Sequence, residues 1–115
     1  MSQPTRPDHR FHAHDVALEI CRAVTPLIVT IAAADADLAR QLRRAVPSIA
    51  MNIAEGRRRQ GRDRAYHYTV AAGSADEVAS ALLYANIAGY LDAGAAGHAL
   101  ALIDRELAML WRLTH

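Results

Sequence analysis

Apolar residues return every three or four positions in four separate stretches of this sequence, and this spacing constrains the fold more than any other feature. The second stretch shows it well, because Leu42, Val46, Ile49 and Ile53 follow one another at such intervals. This spacing places apolar side chains on one face of an α-helix. Alanine, the best helix former, supplies much of a composition that is 52% hydrophobic, and no stretch alternates as a strand would. The sequence therefore predicts an all-α protein.

Short polar or glycine-containing segments separate the four stretches. The predicted helices cover residues 14–34, from a cap at Asp35 or Asp37 to residue 60, 64–91 and 98–113. Pro26 predicts a kink in the first helix, and Asp63 is the predicted cap of the third. Such short connections favour an antiparallel up-down-up-down four-helix bundle over residues 12–115, preceded by a frayed arm over residues 1–11.

The amount of core available to such a bundle is small. Only 5% of the residues are aromatic, and alanine removes little apolar surface from water. A thin core of this kind suggests that further surface is buried between subunits. The single cysteine, Cys21, excludes an internal disulfide and is expected to be a buried, inert thiol. The absence of a signal peptide or a membrane-length apolar run predicts a cytoplasmic protein with no membrane contact.

A polar face interrupts the apolar pattern of the second helix. Ser48, Asn52 and Glu55 share one side of that helix, next to the isoleucine stripe. The third helix offers Ser74 and Glu77 as hydrogen-bond partners, and its predicted core side also includes Val70, Val78, Ala81, Leu82 and Ala85. We interpret these polar residues as a network that fixes helix register, with a small-ligand or hydrolytic site as the alternative.

Five arginines, which we name the arginine rim, surround the predicted turn after the second helix: Arg57, Arg58, Arg59, Arg62 and Arg64. Arginine here complements the helix dipole, pairs with acids of an adjacent subunit, or binds the phosphates of RNA or DNA. Tyr66 and Tyr68 lie close by in sequence as candidates for base stacking. Arg40, Arg43 and Arg44 extend the basic character along the second helix.

Catalytic and metal-binding patterns are missing from the sequence. The histidines near the start, His9, His12 and His14, match no defined ligand spacing. No P-loop, dinucleotide-binding glycine motif, zinc-protease motif or nucleophile elbow occurs. We therefore expect no metal, no cofactor and no enzymatic activity.

One segment, Gln41 to Ala85, resembles a known family. It reads QLRRAVPSIAMNIAEGRRRQGRDRAYHYTVAAGSADEVASALLYA. It is similar to the signature of the four-helix-bundle proteins encoded in 23S ribosomal RNA intervening sequences. The matching parts are QLRRA at residues 41–45, the block from Ser48 to Gly56 containing NIAEG, and then Gly73, Ser74 and Glu77.

The resemblance implies a small four-helix bundle that assembles into a ring-like homopentamer. It also implies a link to the accessory variability determinant proteins of diversity-generating retroelements, which are basic pentamers that bind nucleic acid and a reverse transcriptase. This chain departs from that branch in its net charge of only +1. The resemblance indicates a genomic setting rather than an activity.

Two main functional hypotheses follow. The first is a non-enzymatic oligomeric scaffold whose arginine rim contacts RNA, DNA or a nucleic-acid enzyme. The second is a protein-interaction module that uses its arginines in subunit contacts.

Overall fold

The computed structural model describes residues 9–115, with side chains from His12 onward, and these residues form four helices. The helices are α1 (His9–Ala32), α2 (Ala36–Arg57), α3 (Gly61–Ile87) and α4 (Gly97–Thr114). No strand occurs within residues 9–115. The predicted all-α class and the four helices are confirmed.

The helix boundaries differ from the predicted ones by a few residues. Asp35 caps α2, as predicted, and its carboxylate accepts a hydrogen bond of 3.0 Å from the Leu38 amide. By contrast, α3 begins at Gly61 rather than near residue 64, and Gln60, not Asp63, is its N-cap residue. The connection between α2 and α3 is therefore only residues 58–60. A left-handed φ of +59° at Gly61 allows this short reversal, since glycine tolerates such backbone angles.

At the start of the chain, α1 begins at His9, five residues before its predicted start. The side chain of Ala13, one residue before the predicted start, is buried, which favours helix at this end of α1. The helix continues through Pro26 as far as Ala32. Of the predicted arm, residues 1–8 lie outside the described residues.

The core is one cluster that draws on all four helices. The predicted stripe of α2 is buried at Leu42, Val46, Ile49 and Ile53. Alanines between the larger side chains allow close approach of the helices, and α2 with α3 forms the most extensive helix pair.

Two glutamates occupy positions that differ from the predicted pattern. Glu77 was predicted on the core side of α3, but its side chain is exposed. Glu106 of α4 is fully buried, and neither carboxylate oxygen has a hydrogen-bond partner among the described residues. Burial raises the pKa of Glu106 to about 8, which the neighbouring Arg105 guanidinium opposes only in part. Glu106 is therefore expected to be a neutral acid at the centre of the bundle near neutral pH.

Candidate nucleic-acid interface

The arginine rim occupies the corner where α2 turns into α3. Residues 55–64 contain five arginines and two carboxylates, Glu55 and Asp63, whereas the rest of the chain has a small excess of acidic residues. The net positive charge of the protein is thus concentrated at this corner. Such a local excess is the electrostatic pattern that attracts phosphate groups.

Two of the rim arginines are held by contacts within the corner. Arg59 forms a 3.0 Å ion pair with Glu55 and lies 3.9 Å from the Asp63 carboxylate. Arg64 donates a hydrogen bond of 3.2 Å from Nε to the backbone carbonyl of Gly56, close to the end of α2. The same carbonyl also accepts a hydrogen bond of 3.0 Å from the Arg59 amide, and the Arg64 bond fixes the guanidinium against the corner.

Arg58 and Arg62 are different, because both side chains are exposed and neither forms a hydrogen bond or ion pair with the described residues. Their charges face solvent and are not neutralised by an ion pair within the described residues. These two arginines are therefore the rim members best placed to bind an external anion. Arg57 is half-buried in the last turn of α2.

The second group of arginines lies along the exposed side of α2. Arg40 is paired with Asp37 at 2.8 Å, in an exposed ion pair within one helix turn. Arg43 and Arg44 are exposed, and no ion pair or hydrogen bond joins them to residues 12–115. These residues do not touch the rim, but they leave α2 with a basic outer surface.

A chain of hydrogen bonds connects α2 with α3 at positions that precede the rim along α2. The Ser48 and Ser74 hydroxyls lie 2.8 Å apart, and the Asn52 amide donates to the backbone carbonyl and the hydroxyl of Ser48 at 2.9 and 3.1 Å. The Asn52 Oδ1 atom lies 3.0 Å from Nδ1 of His67. Of the predicted helix-to-helix network, these contacts link Ser48, Asn52 and Ser74, and they add His67, which the sequence did not indicate.

The orientation of the His67 ring follows from these contacts. The Asn52 nitrogen donates both of its hydrogen bonds to Ser48. The Asn52 atom that faces His67 is therefore Oδ1, which can only accept, so Nδ1 of His67 must be the donor. In the neutral ring, Nε2 is then an acceptor, and Nε2 has no hydrogen bond to another described residue. The half-buried His67 ring thus presents a fixed nitrogen at the edge of the corner.

Two predicted members of the network lie outside it. Glu55 pairs with Arg59 of the connection after α2 instead of reaching α3. Glu77 is exposed and forms no hydrogen bond or ion pair with the described residues. Glu55 finds its partner four residues along the chain, and Glu77 lies on a side of α3 that faces solvent.

The two glycines of the predicted signature have different roles. A Cβ at Gly56 would lie 2.7 Å from Cε1 of Tyr68, so only glycine permits this approach of α2 to α3. At Gly73 a Cβ would meet nothing within 4 Å, and the residue is exposed. Gly73 is therefore not required for close approach of a neighbouring helix within one subunit.

The two tyrosines that were candidates for base stacking differ in their exposure to solvent. Tyr68 is fully buried beneath Gly56 and is not available to a base, which corrects the sequence interpretation. Tyr66 is 64% exposed, and its ring packs edge-on against the His67 ring at a centroid distance of 5.3 Å. Only Tyr66 therefore combines an aromatic face with the rim.

Other kinds of site receive little support from the described residues. No group of histidine, cysteine and acidic side chains within residues 12–115 is arranged to hold a metal ion. Cys21 is half-buried rather than buried, and desolvation raises the pKa of its thiol, which lowers its reactivity. Within residues 9–115, no helix combines the length and the apolar character needed to cross a membrane.

The structure defines a small four-helix protein with a basic corner. Comparison with protein-family models gives a match to the 23S rRNA-intervening sequence protein family over residues 11–112. The chain therefore belongs to this family, as its motifs indicated. Comparison with curated proteins gives no match.

A solved structure supports the fold. The crystal structure of a protein of unknown function from the S23 ribosomal protein family of Bacteroides thetaiotaomicron superposes with a TM-score of 0.81 at 19% sequence identity. The match covers 89% of this chain and 97% of that one. At this identity the comparison establishes the fold, and the function has to be argued from the site.

Proposed function

We propose that this protein is a non-enzymatic, self-assembling helical scaffold of the cytoplasm whose arginine rim binds the phosphate backbone of nucleic acid. One observation carries the proposal: Arg58 and Arg62 are exposed at one corner without a hydrogen bond or ion pair to a described residue. Arginine in such a position forms charge-assisted, bidentate hydrogen bonds with phosphate oxygens. Arg64, fixed on Gly56, adds a third positive charge beside them.

The scaffold part of the proposal rests on an up-down-up-down arrangement of the helices. Along α2 the contacts advance from Ser48 to Asn52 to Gly56, while their partners on α3 go back from Ser74 to His67 to Arg64. The three-residue connections at 33–35 and 58–60 favour opposite directions for neighbouring helices. Such an arrangement brings the ends of α2 and α4 to one end of the bundle and adds Arg112 to the positive charge there.

Self-assembly is supported by apolar side chains that one subunit leaves uncovered. Leu83, Tyr84 and Ile87 form an exposed patch at the end of α3, and Ile87 is 85% exposed. An uncovered patch of this kind is typical of protein contact surfaces. We propose the homopentameric ring that the family resemblance implies. A ring repeats the rim in every subunit, so that weak phosphate contacts act together.

The direct test is to measure nucleic-acid binding by the purified protein, using fluorescence anisotropy at a series of salt concentrations. Replacing Arg58 or Arg62 by alanine should weaken binding and lower the slope of log affinity against log salt by about 0.7–0.9 for each phosphate that is no longer neutralised. Arg22→Ala is the matched control, because Arg22 is an exposed arginine of α1 outside the rim. A parent protein without salt-dependent binding would contradict the proposal.

A second candidate function, a protein-interaction module, is favoured by the charges on the outer faces of α2 and α3. Asp76 and Glu77 of α3 and Arg43 and Arg44 of α2 are all exposed, and no ion pair joins them to described residues. Acids of one copy and arginines of the next are complementary. In this case Arg44→Glu should dissociate the oligomer, and Glu77→Arg in a second variant should restore association when the two are mixed. Light scattering and RNA affinity measured on the same preparations separate the two functions.

A further inference from the structure

We propose that Tyr66 and His67 form a binding site for one unpaired nucleotide of single-stranded RNA, in which the base stacks on Tyr66 and the ribose hydroxyl binds His67. This inference rests on the proposed nucleic-acid function of the rim and names the kind of nucleic acid that it takes. Three features support the site: the exposure of one ring, the fixed orientation of the other, and the position of both beside uncompensated arginines.

The stacking surface is the Tyr66 ring. Its side chain is 64% exposed at the second turn of α3, one helical turn after Arg62. The His67 ring meets it at 5.3 Å and an angle of 75°, an edge-to-face arrangement that covers at most one face of the tyrosine ring. A base can stack on such a face only when it is unpaired, so the surface favours single strands over duplexes.

The ribose contact depends on the polar chain that links the two helices. The Asn52 side-chain nitrogen donates to Ser48, and the Asn52 Oδ1 atom accepts a hydrogen bond from Nδ1 of His67. The opposite nitrogen of the neutral ring is then an acceptor with no partner among the described residues. The ribose 2′-hydroxyl of RNA can donate a hydrogen bond, and DNA lacks this group. Proteins distinguish RNA from DNA through contacts to this hydroxyl. The half-buried chain of hydrogen bonds from Ser74 to His67 therefore fixes this acceptor in position before RNA binds.

The arginines supply the remaining contacts. Arg62 lies on the same side of α3 as Tyr66, and Arg58 lies across the short connection. Phosphates on either side of a stacked nucleotide would meet these two guanidinium groups. The corner thus combines a stacking face, a ribose-directed acceptor and two phosphate-directed cations over a short distance.

The experiment compares four ligands of the same sequence, about 12 nucleotides long, which is within the usual site size of a single-strand binding domain. The ligands are single-stranded RNA, its 2′-O-methyl form, single-stranded DNA and duplex RNA. Fluorescence anisotropy should give the highest affinity for single-stranded RNA and lower affinity for the other three. Equal affinity for the duplex would overturn the stacking contact, and equal affinity for the 2′-O-methyl RNA would overturn the ribose contact.

Substitutions test the same residues from the protein side. Tyr66→Ala should weaken single-stranded RNA binding about tenfold, whereas Tyr66→Phe should retain it. Val29→Ala is the control, since Val29 is an exposed apolar side chain of α1 that belongs neither to the rim nor to the apolar patch of α3. His67→Gln should reduce the preference for RNA over the 2′-O-methyl form, and thermal unfolding shows whether that variant remains folded. Unchanged RNA affinity in Tyr66→Ala would contradict the inference even if the rim variants abolish binding, whereas a parent that binds no nucleic acid contradicts the proposed function itself.

Discussion

The ring of Tyr68 fills the space that a side chain at Gly56 would need. A Cβ at Gly56 would lie 2.7 Å from Cε1 and 2.9 Å from Cδ1 of that ring, and Tyr68 is itself fully buried. The last turn of α2 therefore approaches α3 closely at the corner that carries the arginine rim. This contact sets the position of the rim relative to the rest of the bundle.

Gly56→Ala should destabilise the protein by about 1–3 kcal/mol, because the added methyl group overpacks against a buried ring. Gly73→Ala is the control, since a Cβ there meets nothing within 4 Å in one subunit. That variant should stabilise the isolated subunit by roughly 0.5–1 kcal/mol through helix propensity. Urea unfolding of both variants measures the difference, and equal stability of the two would show that the close approach is not maintained.

Ser48 and Ser74 should show energetic coupling in a double-mutant cycle, since their hydroxyls are 2.8 Å apart. Ser48→Ala leaves the half-buried Ser74 hydroxyl without its partner, whereas Ser74→Ala leaves the Ser48 hydroxyl with only the Asn52 amide. Each change should cost about 1 kcal/mol. The double variant should lose less than the sum of the two single losses. Additive losses would mean that the hydroxyls do not interact in solution.

Asn52 and Glu77 provide the contrasting cycle. The sequence alone suggested that they share a network, but Asn52 bonds to His67 and Ser48 while Glu77 is exposed. Their alanine substitutions should therefore be additive within about 0.5 kcal/mol. Chemical denaturation of the parent, the two single variants and the double variant checks this, and strong coupling would restore the sequence-based interpretation.

Glu106 should make the stability of the protein depend on pH. Its pKa is raised from 4.5 to about 8 in the folded state by burial, so the folded protein keeps a proton that the unfolded chain releases above pH 4.5. The free energy of unfolding should therefore fall as the pH rises from about 4.5 to about 8, by at most ~1.4 kcal/mol per pH unit. Glu106→Gln should remove this fall. Denaturant unfolding at several pH values compares the two proteins, and identical pH profiles would show that Glu106 is not a buried acid.

Asp63 should limit the affinity of the rim for phosphate. Its carboxylate lies 3.9 Å from Arg59, whose guanidinium is also paired with Glu55. Asp63→Asn removes a negative charge from the corner without changing the size of the side chain, and RNA affinity at low salt should rise. Asp104→Asn, at an exposed position of α4, is the matched control and should have a smaller effect. If both variants raise affinity equally, net charge rather than the rim determines binding.

The sequence by itself determined the class of the fold and the approximate position of each helix. The stripe of Leu42, Val46, Ile49 and Ile53 identified the buried face of α2, and the cap at Asp35 identified its start. These features are local, because they depend on the period of the helix and on hydrogen bonds between residues a few positions apart. The same local signals placed Ser48, Asn52 and Ser74 on facing sides.

Tertiary structure decided which side of each helix meets its neighbour where the pattern is ambiguous. On α3 the small residues Ala71 and Ala75 are buried, whereas Leu83 and Ile87 are exposed, so hydrophobicity alone does not identify the inner face. The same packing buries Glu106 and Tyr68, exposes Glu77, and brings His67 to Asn52. These placements depend on the register between helices that are distant in sequence, and the register is fixed by the packing of all four helices together rather than by any one of them.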